Sequence, residues 1–315
     1  GQYFRYKKKF LRKLYFQFSK LMHYKTFASR VYTKNFPKFI VDYSELIEKN
    51  EGFKFINATK LNEKKTNIDQ VLKKINNDLE KIDIKKFDKP NDGIINLKSS
   101  KDFDIESPEI KFVTNKYLIE IVSRYLKCIP ILTSLSLWFS PNNKFIDNSS
   151  QEYHLDHEDY KQVKGFLYLN EVDTETGPLN IINALQSNNI QKLINYKMTE
   201  SEKRVNDKTI QDLKKNIEIN ENIMIGKPGD LLLCDTSSCF HFGSRLGSKP
   251  RLILAFQYTT PFSFSMDWNW INSKIIPYKN NIECLFFALN SVFKQTYKNL
   301  KILIIYDDEN KIDLH

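Results

Sequence analysis

Residues 129–139, IPILTSLSLWF, mark the point at which the spacing of apolar residues changes along the chain. Before them, apolar residues recur every three to four positions, which is typical of amphipathic helices. From residue 129 onward, short apolar runs separated by turn signals predict strands at 129–139, 163–169, 231–234 and 251–258. Helices followed by many short strands predict an α+β fold whose β part is a sandwich or a barrel.

The chain before this point is expected to be a mainly helical support region, residues 42–128. Within it, residues 67–84 place isoleucine, valine and leucine side chains on one helical face. Residues 114–127 predict a second amphipathic helix, for which Thr114 is the expected N-cap.

The predicted strands belong to a core at residues 129–262, which a long polar segment interrupts. Residues 186–226 are rich in lysine, asparagine and glutamate and are too long for an ordinary loop, so we expect a lid beside the site. Residues 263–315 are expected to form a C-terminal helical extension, with a closing helix at 280–300.

Composition excludes several classes of protein. The chain has 315 residues, of which 41% are hydrophobic and 27% charged, so it is not a disordered chain. Its apolar runs are shorter than the ~18 residues that a membrane-spanning helix needs. Its four cysteines show no Cys-x-x-Cys pattern, so we expect reduced thiols and a cytoplasmic location.

The net charge of +10 is concentrated in an N-terminal arm, residues 1–41. This arm holds 11 basic residues and no acidic residue. Phe10, Leu14 and Phe18, with Leu11, Tyr15, Leu21 and Met22, form the apolar side of an expected amphipathic helix. Such a helix either binds an anionic membrane surface, which would make the protein peripheral at a membrane, or packs on the protein's own core. Nucleic-acid binding is disfavoured, because no recognition motif accompanies the charge.

Three of the five histidines lie in the strand region and suggest a metal site. In His154-Leu155-Asp156, the first and third residues project from the same face of a strand, so an imidazole and a carboxylate can reach one ion. His241 is available as a third ligand, and two histidines with one carboxylate form the facial triad of non-haem Fe(II) oxygenases. An alternative is a zinc site made of His154, His157 and His241.

Arg251 is a candidate for binding a cosubstrate. It lies ten residues after His241 and begins the predicted strand RLILAFQY. A guanidinium group binds a carboxylate through two parallel hydrogen bonds, so Arg251 suits the distal carboxylate of a 2-oxo acid that chelates the metal.

Six sequence elements follow one another in order: His154-x-Asp156, Phe166–Asp173, Thr176-Gly-Pro-Leu-Asn180, Gly229-Asp230, His241 and Arg251. Over residues 130–260, this series resembles the phytanoyl-CoA dioxygenase family. The resemblance implies a double-stranded β-helix core with flanking helices. It also implies Fe(II) held by His154, Asp156 and His241, and 2-oxoglutarate anchored by Arg251, with O2 as the second cosubstrate.

Further cosubstrate contacts follow from the same resemblance. Gln151 is similar to a family position that hydrogen-bonds 2-oxoglutarate. Relatives often have serine or threonine two residues after the distal histidine; this sequence has Gly243 there, with Ser244 beside it. We therefore expect Gln151 and Ser244 to contribute to cosubstrate binding.

The leading hypothesis is an Fe(II)/2-oxoglutarate-dependent dioxygenase that hydroxylates a small-molecule or conjugated metabolite. The alternatives are a non-catalytic or membrane-recruited binding protein on the same scaffold, and a zinc-binding cupin-like protein. The presence of Asp156 disfavours halogenation, since halogenating relatives replace this carboxylate with a small residue.

Overall fold

A computed structural model describes residues 9–22, 24, 41–82, 93–141, 150–197, 204–243, 245, 247–263, 275–277 and 303–305. Within these ranges the α-helices are α1 Lys9–Met22, α2 Ala58–Glu63, α3 Ile68–Leu79, α4 Pro108–Val113, α5 Lys116–Leu126, α6 Ala184–Leu193 and α7 Asp207–Lys214. Of the helices in these ranges, none has both the length and the hydropathy of a membrane span.

The strands of the described residues are mostly short. They are β1 Phe53–Ile56, β2 Ile95–Lys98, β3 Ile131–Ser140, β4 Tyr153–His154, β5 Gln162–Tyr168, β6 Leu179–Ile182, β7 Arg204–Val205, β8 Glu221–Met224, β9 Leu231–Cys234, β10 His241–Phe242, β11 Arg251–Thr259, β12 Ile275–Pro277 and β13 Leu303–Ile305. The four strands expected from the sequence are confirmed as β3, β5, β9 and β11. The closing helix expected at 280–300 lies outside the described residues.

The larger sheet has the strand order β1-β9-β5-β11-β3-β2, and its pairs are antiparallel. Its two edge strands, β1 and β2, come from the region expected to be helical support. The boundary placed at residue 129 therefore does not separate a helical unit from the sheet. Each edge strand has only four residues, which are too few for an alternation of apolar and polar residues to be recognised in the sequence.

The smaller sheet has the order β7-β4-β10-β6-β8 and is also antiparallel. Its two edge strands, β7 and β8, belong to the segment 186–226 that we expected to be a lid. Two helices of this segment are anchored by Ile190 and Ile210, which are fully buried. The described part of the segment is thus built into the sheet, and its movement over a ligand stays a prediction.

The two sheets face each other across an apolar core. Phe166 and Tyr168 of β5, Leu232 of β9 and Ile253 of β11 meet Ile181 of β6 in this layer. Helices α3–α5 cover the outer face of the larger sheet, and α6 and α7 cover the outer face of the smaller one. Two facing antiparallel sheets with flanking helices confirm the predicted α+β class with a double-stranded β-helix core.

Two expected helices differ in their boundaries. The first begins at Ile68 but ends at Leu79 rather than at residue 84. The N-cap of the second is Asn115, not Thr114: the Asn115 side chain accepts a hydrogen bond from the Tyr117 amide at 2.9 Å. Thr114 is instead the C-cap of the preceding helix, α4, and donates a hydrogen bond from its hydroxyl to the Ile110 carbonyl.

The expected N-terminal helix is present as α1, and its Phe16 side chain packs on the core. The Phe16 ring is buried and lies 5.5 Å from the Tyr160 ring and 5.9 Å from the Phe262 ring. Three residues of the expected apolar side remain largely exposed: Leu14 at 49%, Phe18 at 61% and Leu21 at 72%. Among the described apolar side chains of α1, Phe16 thus packs on the core, whereas Leu14, Phe18 and Leu21 are in contact with solvent.

Candidate metal centre

Two short strands of the smaller sheet bring His154 and His241 together. His154 ends β4, His241 begins β10, and the two residues are directly opposite each other in the antiparallel register. Directly opposite residues share a face of the sheet. The two imidazole rings lie 4.3 Å apart between centroids. Tyr153 and Phe242, the adjacent residues, pack in the outer apolar cluster, so both histidines face the space between the sheets.

Asp156 reaches the same space from just beyond the end of β4. Its backbone amide donates a hydrogen bond to the Thr236 carbonyl at 2.9 Å, which fixes the chain after the strand. Its Oδ1 lies 3.9 Å from Nε2 of His154, and its Oδ2 lies 3.8 Å from Nε2 of His241. The spacing of two residues thus places imidazole and carboxylate side by side, as predicted, although the regular strand ends at His154.

Backbone carbonyls determine which nitrogen of each histidine carries the proton. The Nδ1 atom of His154 lies 2.8 Å from the Glu152 carbonyl, and that of His241 lies 2.9 Å from the Cys239 carbonyl. A carbonyl only accepts, so each Nδ1 must be the protonated donor. In the neutral ring the lone pair is then on Nε2, which is the atom that faces Asp156 in both cases.

The surroundings favour the protonation states that a metal ion requires. Burial lowers the pKa of His154 well below its ordinary value, and burial also lowers the pKa of His241. Burial alone would raise the pKa of Asp156, but the charge of Lys164 and the nearby imidazoles hold it below its usual range. Neutral imidazoles and an ionised carboxylate are therefore the forms present near neutral pH.

Lys164 of β5 supplies the positive charge next to Asp156. Its Nζ atom lies 2.7 Å from Oδ2 of Asp156 and 3.8 Å from Oε1 of Glu158. Burial alone would lower the pKa of Lys164, but these two carboxylates raise it above its ordinary value, so the side chain stays charged. The ion pair fixes the orientation of the Asp156 carboxylate and links the two sheets at the site.

The donor set fits a divalent transition metal. The ligand atoms of His154, Asp156 and His241 all lie within 4.8 Å of one another. Two nitrogen donors and one carboxylate oxygen suit Fe(II), Co(II) or Zn(II) better than Mg(II) or Ca(II). Among the described residues this is the one such group, and His157 is not part of it. The alternative set that includes His157 is thus not assembled.

Arg251 lies at the start of β11, on the inner face of the larger sheet. It is paired with Ser140 of β3 and is only 6% exposed. A Cβ atom placed on Gly243 would lie 3.3 Å from Nη2 of Arg251, so the guanidinium lies against the chain two residues after His241. Burial lowers the pKa of Arg251 to about 10, which still leaves it charged at neutral pH.

The expected cosubstrate contacts of the other two residues, Gln151 and Ser244, stay predictions. Gln151 is fully buried three residues before His154, and its backbone carbonyl accepts a hydrogen bond from Arg245 at 2.8 Å. Contact of its side chain with a cosubstrate stays a prediction. Ser244 lies outside the described residues, so its expected role also stays a prediction.

One residue beside the histidines could not be predicted from the sequence. Arg204 of β7 is directly opposite His154 in the antiparallel register. Its strand has only two residues and lies in a segment without any strand pattern. The spacing of residues in the sequence does not predict such a strand. Arg204 is recognised as a residue of the site only from its pairing with His154 of β4 in the structure.

Comparisons with known proteins give distant similarities in fold. No family model matches the sequence, and no curated protein matches it. The chain resembles the non-haem α-ketoglutarate-dependent epimerase SnoN from nogalamycin biosynthesis, with 10% identity and a TM-score of 0.41 over 67% of this chain and 79% of that one. It also resembles HygX from Streptomyces hygroscopicus, solved with nickel, 2-oxoglutarate and hygromycin B, with 13% identity and a TM-score of 0.44 over 72% of this chain and 90% of that one. The chain also resembles EctD from S. alaskensis in its apo form, with 13% identity and a TM-score of 0.47 over 72% of this chain and 85% of that one.

Proposed function

We propose that this protein is an Fe(II)- and 2-oxoglutarate-dependent oxygenase, most simply a hydroxylase of a small molecule or conjugated metabolite. The observation that carries the proposal is the convergence of two imidazole Nε2 atoms and one carboxylate in a buried site. Fe(II), together with 2-oxoglutarate and O2, would supply the oxidising power that no amino-acid side chain has.

The protein's own residues would hold and orient these groups. His154, His241 and Asp156 would hold the ion on one side and leave its other positions open. The buried guanidinium of Arg251 would bind the distal carboxylate of 2-oxoglutarate through two hydrogen bonds. The apolar layer around Phe166 and Ile253 would exclude bulk water from the reacting groups.

The Gly243 position supports the role given to Arg251. Because glycine has no side chain, nothing at this position presses on the buried guanidinium, whereas the Cβ atom of a larger residue would lie 3.3 Å from its Nη2 atom. Arg251 can therefore receive a carboxylate on the inner face of the sheet, on the side that adjoins His241.

The decisive test is turnover of 2-oxoglutarate. Purified protein loaded with Fe(II) without oxygen should form succinate after O2 is admitted, at a rate that removal of iron by a chelator abolishes. Substitution of Zn(II) for Fe(II) should also abolish it. Tight binding of 2-oxoglutarate without any succinate would favour the non-catalytic binding protein, and absence of both would contradict the proposal.

We further propose that α1 attaches the protein to an anionic membrane surface, whereas the catalytic core remains cytoplasmic. The exposed Leu14, Phe18 and Leu21 recur at helical spacing and can enter the lipid interface. The 11 basic residues of the arm, unopposed by acidic ones, match negatively charged headgroups. Phe16 stays packed on the core, so insertion of the exposed residues does not require the arm to detach.

Vesicle binding tests this attachment. Replacing Phe18 and Leu21 by asparagine should weaken co-sedimentation with phosphatidylserine-containing vesicles at least about tenfold, because each buried apolar side chain contributes about 1.5–3 kcal/mol. Replacing Leu193, which is 58% exposed on α6, by asparagine is the matched control and should have no effect. Equal binding of all variants, or no binding by the unaltered protein, would contradict the proposal.

A further inference from the structure

Arg204 lies in line with the two metal-binding histidines. In the smaller sheet Arg204 of β7 is opposite His154 of β4, and His154 is opposite His241 of β10. Neighbouring strands are about 4.8 Å apart, so Arg204 is one strand away from His154 and two strands away from His241. The three residues form one row across the sheet.

The alternation of side chains along β7 indicates which face Arg204 occupies. Val205, the next residue, is buried in the outer cluster with Tyr153 and Phe242. Tyr153 is the cross-strand partner of Val205, just as His154 is the partner of Arg204. Since successive residues of a strand point to opposite faces, Arg204 lies on the inner face together with the histidines.

The proposed function gives roles to the other cations of the inner face, Lys164 beside Asp156 and Arg251 at the cosubstrate, but none to Arg204.

We propose that Arg204 binds an anionic group of the substrate, and that the substrate is therefore a carboxylate, phosphate or sulfate compound. A guanidinium presents two parallel N–H donors that match such groups, and it repels cationic or amine substrates. This inference rests on the proposed function, because it assigns Arg251 to the cosubstrate and leaves the anion at Arg204 to the substrate. It also makes β7 part of the site.

Paramagnetic relaxation of small anions tests the proposal without a known substrate. The protein would be loaded with Co(II) and 2-oxoglutarate, and inorganic phosphate and acetate would be titrated in as probes. At least one of these anions should bind saturably and show nuclear relaxation enhanced by the nearby Co(II). Arg204→Gln should weaken that binding at least about tenfold, whereas Arg204→Lys should retain part of it.

The control for charge is Lys208→Gln. Lys208 is an exposed residue of α7 in the same segment, so its loss removes one positive charge without altering the inner face. This variant should bind the probes like the unaltered protein. Retained Co(II) and 2-oxoglutarate binding, with an unchanged melting temperature, would show that Arg204→Gln is folded.

The outcomes separate this inference from the proposed function. Failure of the unaltered protein to bind Co(II) or 2-oxoglutarate would count against the proposed function. If both bind, but neither anion shows saturable relaxation or Arg204→Gln leaves it unchanged, the role of Arg204 is refuted. Loss of 2-oxoglutarate affinity in Arg204→Gln would also refute it, because Arg204 would then serve the 1-carboxylate of the cosubstrate.

Discussion

Replacing His154 by alanine should weaken Fe(II) or Co(II) binding at least about 100-fold and abolish succinate formation. Changes to residues that merely support a ligand cost 10–100-fold in affinity, so loss of a ligand itself should cost at least as much. His154 Nε2 is one of three converging donors, and the two that remain cannot surround one face of the ion. Anaerobic Co(II) titration, followed by absorption, measures the affinity directly.

The matched control for this variant is His157→Ala. His157 is three residues further along and does not belong to the group of converging donors. Its replacement should leave the metal affinity within about twofold. If His157→Ala lost the metal while Asp156→Ala kept it, the zinc alternative would replace the proposed triad. Circular dichroism of each variant would show that loss of binding does not reflect unfolding.

Arg251→Leu should weaken 2-oxoglutarate binding about 100-fold or more and leave metal binding nearly unchanged. Removing one partner of a buried charge pair costs about 3–5 kcal/mol, because the remaining carboxylate stays desolvated and unpaired. Each 1.4 kcal/mol corresponds to a tenfold change in the dissociation constant. Arg251 is buried on the inner face and its charge persists at neutral pH, so this large effect applies to it.

The absorption band of the ferrous–2-oxoglutarate complex provides the measurement for Arg251→Leu. Arg251→Lys is the informative second variant, since it keeps the charge but not the two parallel donors, and its affinity should lie between the other two. A dissociation constant in Arg251→Leu equal to that of the unaltered protein would remove Arg251 from the cosubstrate site.

Much of the core could be predicted because its central strands are long and distinctive. β3, β5 and β11 have seven to ten residues each and consist largely of apolar residues. The convergence of His154, Asp156 and His241 could also be predicted, because histidine is rare in this chain and residues two apart in extended backbone lie on the same face. The cosubstrate role of Arg251 stays a prediction that rests on its residue type and on its position ten residues after His241.

The edges of both sheets and the arm could not be predicted for identifiable reasons. β7 has two residues, so its pairing with β4 depends on tertiary contacts rather than on any pattern in Arg204 and Val205. Among the described apolar side chains of α1, Phe16 is the buried one because it meets Tyr160 and Phe262. Local spacing does not contain that information.

The pairing of β4 with β10 has a consequence for how the protein persists in a cell. An ion held by His154 and His241 would tie together two segments about ninety residues apart in sequence, and such a cross-link restricts the unfolded chain. Free metal at 100 times its dissociation constant would stabilise the folded state by about 2.7 kcal/mol. Under the proposed function, iron scarcity would therefore expose the chain to proteases as well as stop the reaction, and the abundance of the protein would follow the iron supply.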